Sequence, residues 1–314
     1  MTGEARRRRP PNLGRVIVCA GEALVDLVPD PRCGGGPMNV AVTAARLGAP
    51  TAFVGRISTD GFGDLLWRHL TDAGVHLEAA ERGPEPTARA LVEHEPTPVF
   101  HFDGEGTADT CLARADLTPL GPGPHLLHGG TLGLFRGRTA AVLADLVEQT
   151  TPSDGLVSLD PNVRPQIIDD RASWFGYFGR WRGRADLLKL SSEDLAWMWP
   201  GRTEAEVARG LLVAGAAVVC VTHGGDGVVA HLRGRDLVVA APAVTVVDTV
   251  GAGDAFCGGL LAHLWQAGVT GRAALDALDD GQWRDALTAA VTVAALTCTR
   301  AGADPPWATE LALG

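Results

Sequence analysis

The string Asp248-Thr249-Val250-Gly251-Ala252-Gly253-Asp254-Ala255-Phe256 carries the densest chemistry in the chain. Gly251, Ala252 and Gly253 leave backbone N–H groups uncovered where a long apolar helix begins, near residue 255, and runs to about residue 265. Those groups, with the positive end of the helix dipole, form an anion hole. Asp254 stands inside it. A carboxylate there repels a phosphate if binding is its only task. It makes sense as a base that takes a proton from an attacking hydroxyl. A plain glycine turn with Asp254 in the first helical turn accounts for the glycines and one aspartate, but not for the whole string. A dinucleotide fingerprint is excluded, because Phe256 stands where its third glycine is needed and the element lies late in the chain. A Walker A sequence is also absent, since no Gly-Lys-Ser/Thr occurs.

A second group opens the chain. In Gly34-Gly35-Gly36-Pro37-Met38-Asn39 the glycines let a substrate approach the backbone, and Asn39 can both donate to and accept from hydroxyls. By itself this is a common capped turn. Paired with Asp26 on the preceding strand, it supplies what a polyol needs.

The elements that must position these residues follow a βαβ rhythm. Residues 15–28 begin as a continuous apolar run, the mark of a strand buried on both faces, and then alternate. Further strands are expected at residues 51–57, 126–128, 156–159, 187–190, 218–222 and 228–231. Helices are expected at 39–47, 64–72, 139–149, 174–181 and 204–213, and the chain is mostly helical from 251 onward. Strands alternating with helices imply an α/β fold with a mostly parallel sheet covered on both faces. Residues 81–109 break the rhythm with prolines at 84, 86, 96 and 98, and two short strands at 88–93 and 99–102 read as a hairpin flap.

Length and charge bound the rest. A chain of 314 residues fits one α/β domain with a small appendage. A net charge of −10 argues against nucleic acid and anionic membrane as partners. The one basic cluster, the arginines at 6–9, sits in residues 1–14 and reads as a solvated tail rather than a twin-arginine leader, because Glu22 and Asp26 interrupt the apolar stretch that follows. Six cysteines without a C-x-x-C pair read as small buried hydrophobes in a reducing, cytoplasmic setting.

Two motifs in this order, Gly35-Gly36-x-x-Asn39 with Arg46-Leu47-Gly48, and Asp248-Thr249-x-Gly251-Ala252-Gly253-Asp254, resemble the signatures of the ribokinase-like (PfkB) carbohydrate kinases. The resemblance spans about residues 15–308. It implies a three-layer ribokinase-like domain over 15–314, with a small β lid from segments near 24–37 and 86–107. It implies ATP-dependent phosphorylation of a sugar hydroxyl, with Mg²⁺ brought by the nucleotide and no protein metal ligand assigned. K⁺ is raised as a further cofactor by the loop at Asp248 and the 299–303 segment, and lids of this family often pair across a homodimer.

Residue by residue, Asp254 resembles the catalytic base and Gly251, Ala252 and Gly253 the anion hole. Asp26, Gly35, Gly36 and Asn39 resemble sugar-binding positions, and Arg164 of Asp160-Pro161-Asn162-x-Arg164 would reach toward substrate or phosphates. Thr222, Gly224 and Gly227 match the turn that approaches the nucleotide. Ser191 and Asp194 stand where the family often has Asn-x-x-Glu, and Ser191 is placed with the nucleotide. Gly36 stands where ribose kinases carry lysine, which argues against ribose. Gly21-Glu22-Ala23-Leu24-Val25-Asp26, Gly106-Thr107-Ala108-Asp109 and Lys189-Leu190-Ser191 look most like bacterial fructokinases. Kinases of 2-keto-3-deoxygluconate or of a nucleoside, and a non-catalytic sensor on the same fold, stay open as alternatives.

Overall fold

An apolar run without alternation needs cover on both faces, and Ile17–Ala20 (β1) has it: all four residues are fully buried. Ile17 and Cys19 pack into one core, and Val18 and Ala20 into another on the opposite face. The computed structural model describes residues 15–28, 30–95, 97–117, 125–150 and 155–311. The arginines at 6–9 lie outside these residues.

After β1 come β2 (Leu24–Val28), β3 (Asp30–Gly34), α1 (Gly36–Arg46), β4 (Thr51–Val54), β5 (Arg56–Ser58) and α2 (Gly61–Asp72). Then follow β6 (Glu81–Gly83), β7 (Arg89–Glu95), β8 (Thr97–Asp103), β9 (His125–Gly130), α3 (Gly137–Gln149), β10 (Gly155–Asp160) and α4 (Arg171–Arg182). The chain continues with β11 (Leu187–Ser191), α5 (Ser192–Met198), α6 (Glu204–Val213), β12 (Val218–Thr222), β13 (Val228–Leu232) and β14 (Arg235–Val239). It ends with α7 (Ala252–Gln266), α8 (Arg272–Asp276), α9 (Asp280–Thr297) and α10 (Ala308–Leu311).

The main sheet runs β14-β13-β12-β11-β10-β9-β1-β4, parallel from β4 to β12 and antiparallel at β13 and β14. A second sheet, β3-β2-β7-β8, stands beside it. Helices α1, α2, α7 and α9 contribute to one core, and α3, α4, α5 and α6 to the other. Helix α7 is buried nearly all round because it packs on both α1 and α9. Two glycines permit the approach: a Cβ on Gly258 would strike Thr43, and one on Gly259 would come within 3.2 Å of Ala290 Cα. Among the described residues no helix is long and apolar enough to cross a membrane.

Several boundaries differ from expectation, each for a local reason. The strand expected over 15–28 is two strands in two sheets. Gly21 (φ 155°) turns the chain out after its N–H bonds Val54 O at 3.0 Å. The strand expected over 51–57 likewise divides at Gly55, where a Cβ would lie 2.5 Å from Gly21 O. Helix α2 starts three residues early because the Asp60 carboxylate accepts from Gly63 N at 2.7 Å, a side-chain cap. Strands β6 and β14 had no strand expectation, and β3 falls in the lid segment expected near 24–37.

Candidate active site

The main sheet reverses direction at β1: the chain runs from β1 to β4 on one side and from β9 to β12 on the other. Crevices at such a switch point, beyond the carboxyl ends of the strands, are where open α/β sheets bind ligands. The strand ends here deliver Glu22 after β1, Thr131 after β9, Asp160 closing β10, Ser191 closing β11 and Thr222 closing β12.

Onto this edge points the N-terminus of α7. Gly251 is its N-cap at φ 78°, so Ala252 and Gly253 are the first helical residues, at the positive end of the helix dipole, with Ala252 N donating back to Thr249 O at 3.2 Å. Asp254 lies in that first turn, 8% exposed. Asn39 Nδ2 donates to Asp254 Oδ2 at 2.8 Å, which brings together the two motifs lying 215 residues apart. Burial pushes the Asp254 carboxyl up to about 6; the Asn39 hydrogen bond opposes this, Asp160 adds to it, and Lys189 and Arg164 oppose it. Above that pH the group is an ionised base with little solvation. Asn39 Oδ1 is buried with no partner among the described residues, an acceptor suited to a hydroxyl.

The glycine turn is as tight as its composition implies. Gly35 is at φ 115°, and a Cβ there would lie 2.6 Å from Glu22 O. A Cβ on Gly36 would collide with Thr131 Oγ1 and lie 3.5 Å from Asp254 Oδ1, so glycine is what lets the turn reach the carboxylate. A Cβ on Gly34 would collide with the Asp26 carboxylate. Burial pushes Asp26 up to about 6, with Arg164 opposing and Asp248 adding to the shift. Asp26 and Arg164 therefore sense each other, and Arg164 also acts on Asp254. Arg164 Nη1 donates to Asn162 O at 3.3 Å and Val163 O at 3.2 Å.

Five residues at this edge had no catalytic or binding role assigned from the sequence. Glu22 is 1% exposed and clasps two loops, accepting from Gly36 N at 2.9 Å and Gly133 N at 2.8 Å. Burial pushes it to about 7 against the pull of those hydrogen bonds. Thr131 (φ 49°) and Asn162 (φ 39°) are the described non-glycine residues with positive φ, and they meet: Asn162 Nδ2 donates to Thr131 Oγ1 at 3.3 Å. Strained backbone that clusters at one edge is a mark of functional sites. Lys189 Nζ bonds Asp160 Oδ2 at 2.9 Å, both buried, beneath the Gly253 turn. Burial alone would depress the Lys189 ammonium, but Asp160, Cys257 and Asp194 together hold it above the usual lysine range. In the sequence Lys189 stood out only through the Lys189-Leu190-Ser191 string that looks like bacterial fructokinases.

Beside the anion hole lies a cavity of about 220 Å³ lined by Thr222, Gly224, Gly227, Val246, Phe256 and Ala295, among others. A Cβ on Gly227, at φ 101°, would strike Val239 O. Residues 241–246 are not a strand; Ala241, Pro242, Val244 and Val246 run along this cavity, and Val246 is 58% exposed. Ser191 is paired with Thr222 in register but does not line the cavity. Its hydroxyl accepts from Asp194 N at 3.0 Å and caps α5. Asp194 is equally committed, accepting from Ser191 N at 2.8 Å and Val163 N at 2.7 Å. Among the described residues no three His, Cys, Asp or Glu side chains stand where they could hold a metal ion. Asp248 accepts from Val250 N at 3.1 Å and Gly302 N at 2.7 Å, tying the segment before α7 to the 299–303 segment.

A pfkB family carbohydrate kinase model matches residues 29–310. A fructokinase from Rhizobium leguminosarum bv. trifolii is 34% identical over 283 residues, covering 86% of each chain. The crystal structure of fructokinase from Vibrio cholerae O395, in a form bound to fructose, ADP and calcium ion, superposes with a TM-score of 0.81 at 30% identity, covering 93% of this chain and 94% of that one. Aminoimidazole riboside kinase from Salmonella enterica, complexed with aminoimidazole riboside and an ATP analog, superposes at 0.85 and 26% identity, covering 96% and 98%.

Proposed function

The chain belongs to the pfkB family of carbohydrate kinases, and from that premise we propose that it phosphorylates fructose to fructose 6-phosphate, with Asp254 as the base. The observation that carries this is the Asp254 carboxylate itself: buried in the first turn of α7, held by Asn39, and within reach of the Gly36 turn. The sugar lies against Asp26, Asn39 and the Gly34–Gly36 turn, with a primary hydroxyl beside Asp254. The hydroxyl loses its proton to Asp254 as it attacks in line, and the Gly251–Gly253 amides take up charge on the phosphoryl oxygens. ATP rests its base in the cavity beside Thr222 and Gly224. The β3-β2-β7-β8 sheet acts as the lid, closing the sugar from water.

Mg²⁺ arrives on the nucleotide and, when bound, screens charge on its phosphates. Since Asp194 is spent on backbone N–H groups and Asp160 on Lys189, the described residues offer no carboxylate cage, and no step depends on one. K⁺ is assigned to the loop where Asp248 meets Gly302. The edges of the lid sheet are the surface through which two copies would pair, a point that light scattering decides.

An ADP-release assay with Mg-ATP against fructose, ribose, 2-keto-3-deoxygluconate, adenosine and inosine tests the reading. Turnover on fructose alone is the expected result. Turnover on a nucleoside instead would favour the second reading, for which the likeness to the riboside kinase speaks. Silence across the panel would sink both.

A further inference from the structure

The chain has one lysine among its 27 basic residues, and it is Lys189. Arginine supplies every other permanent cation; here alone stands a compact ammonium instead of a planar fork. Lys189 is 7% exposed and Asp160 3%. Asp160 Oδ1 also accepts from Asn162 N at 3.1 Å, and Cys257 Sγ lies 3.7 Å from Oδ2. Stability alone is a poor reason for such a pair, because desolvation offsets the attraction. Its place is more telling. A Cβ on Gly253 would lie 2.9 Å from Lys189 Nζ, so the ammonium packs against the underside of the anion-hole turn, one residue before Asp254.

Resting on the reading of Asp254 as base, we propose that Lys189 and Asp160 are positioning residues for phosphoryl transfer. The ammonium, held by Asp160, supports the Gly253 turn from beneath and sets the field at the Asp254 carboxylate. The groups that face Asp254 are Asn39 from α1, Asp160 from β10, Arg164 from the loop beyond it, Lys189 from β11 and Cys257 from α7 itself. Lys189 favours the ionised base and Asp160 opposes it. The pair therefore balances two opposite fields at the Asp254 carboxylate, while its ammonium fills the space that a side chain on Gly253 would need.

The test is the pH profile of kcat for sugar phosphorylation by the full chain, in wild type, Lys189→Met, Asp160→Asn and the double variant, with Asp254→Asn as the inactive reference. Lys189→Met should lower kcat roughly tenfold or more, with the sugar KM changed far less. Its acid limb should move up by about one pH unit, because a cation is lost beside the base and an anion is left unpaired. Asp160→Asn should move the limb down, and the double variant should return it toward wild type while kcat stays low. Thermal melts and ATP binding identify any variant that has merely unfolded, and the double variant, with no unpaired buried charge, keeps the test open if a single one does. Limbs that stay put in folded variants, or a Lys189→Met kcat within twofold of wild type, overturn this proposal alone. A wild type that phosphorylates no sugar overturns it together with the reading beneath it.

Discussion

At Asp254 burial does two things at once. It removes solvent from a base, which raises its affinity for a proton, and it costs the fold an unsolvated charge. With the carboxyl at about 6, kcat should fall on the acid side of that pH and level off above it. A flat profile down to pH 5 would mean another group carries the proton. Asp254→Asn keeps the acceptor for Asn39 but not the base, and should lower kcat by roughly 10²-fold or more. The same change should raise stability at pH 8. The folded carboxyl holds its proton more tightly than the unfolded one, so wild type loses stability as pH rises from about 4 through 6. The gain for the variant is on the order of 1–3 kcal/mol at pH 8, is small near pH 4 and is lost below the unfolded pKa, where the carboxyl is protonated in both states. Melting curves at the two pH values check it; an equal difference at both would refute the sign.

At the scale of elements, the first turn of α7 is held from three directions: by α1 through Asn39, by β11 through Lys189, and by the 299–303 segment through Gly251. Gly251 combines φ 78° with an Ala303 Cβ that would stand 2.5 Å from any Cβ of its own. Gly251→Ala should therefore cost about 1–3 kcal/mol and lower kcat as the amides turn away. Gly176→Ala is the contrast. Gly176 lies within α4 with nothing within 4 Å of its would-be Cβ, so this change should add roughly 0.5–1 kcal/mol and leave turnover alone. Equal melting temperatures for the two variants would show that the strain at Gly251 has been misread.

Across the whole molecule, titratable groups of both kinds are buried. Glu22, raised to about 7, and Asp26 and Asp254, each raised to about 6, all lose stability for the fold as pH rises through the window from about 4 to 7. His128, which burial depresses to about 3, works the other way and costs stability as pH falls below its ordinary value. Three carboxylates outweigh one histidine, so the ligand-free protein should melt several degrees lower at pH 8 than at pH 5.5. Calorimetry at matched ionic strength measures this. A rise instead would place these carboxylates in water.

The chain by itself determined the alternation of strands and helices, the two glycine motifs and the aspartate after the second, because periodicity and glycine content are local properties. It also carried the family, through motifs whose order and spacing are written in the residues. Periodicity alone did not place the break within residues 15–28, which only the resemblance implied through a lid segment near 24–37, since the break lies in one glycine dihedral set by contact with Val54 and Gly55. Nor could it show that Val244 and Val246 line a cavity instead of a sheet, because apolar surface reads the same wherever it is covered. Glu22, Thr131 and the Lys189–Asp160 pair were hidden for the same reason. Apart from the contact of Glu22 with Gly36, 14 residues on, their partners lie 29 to 111 residues away, and only the parallel sheet, by bringing the carboxyl ends of β1, β9, β10 and β11 to one edge, makes them neighbours.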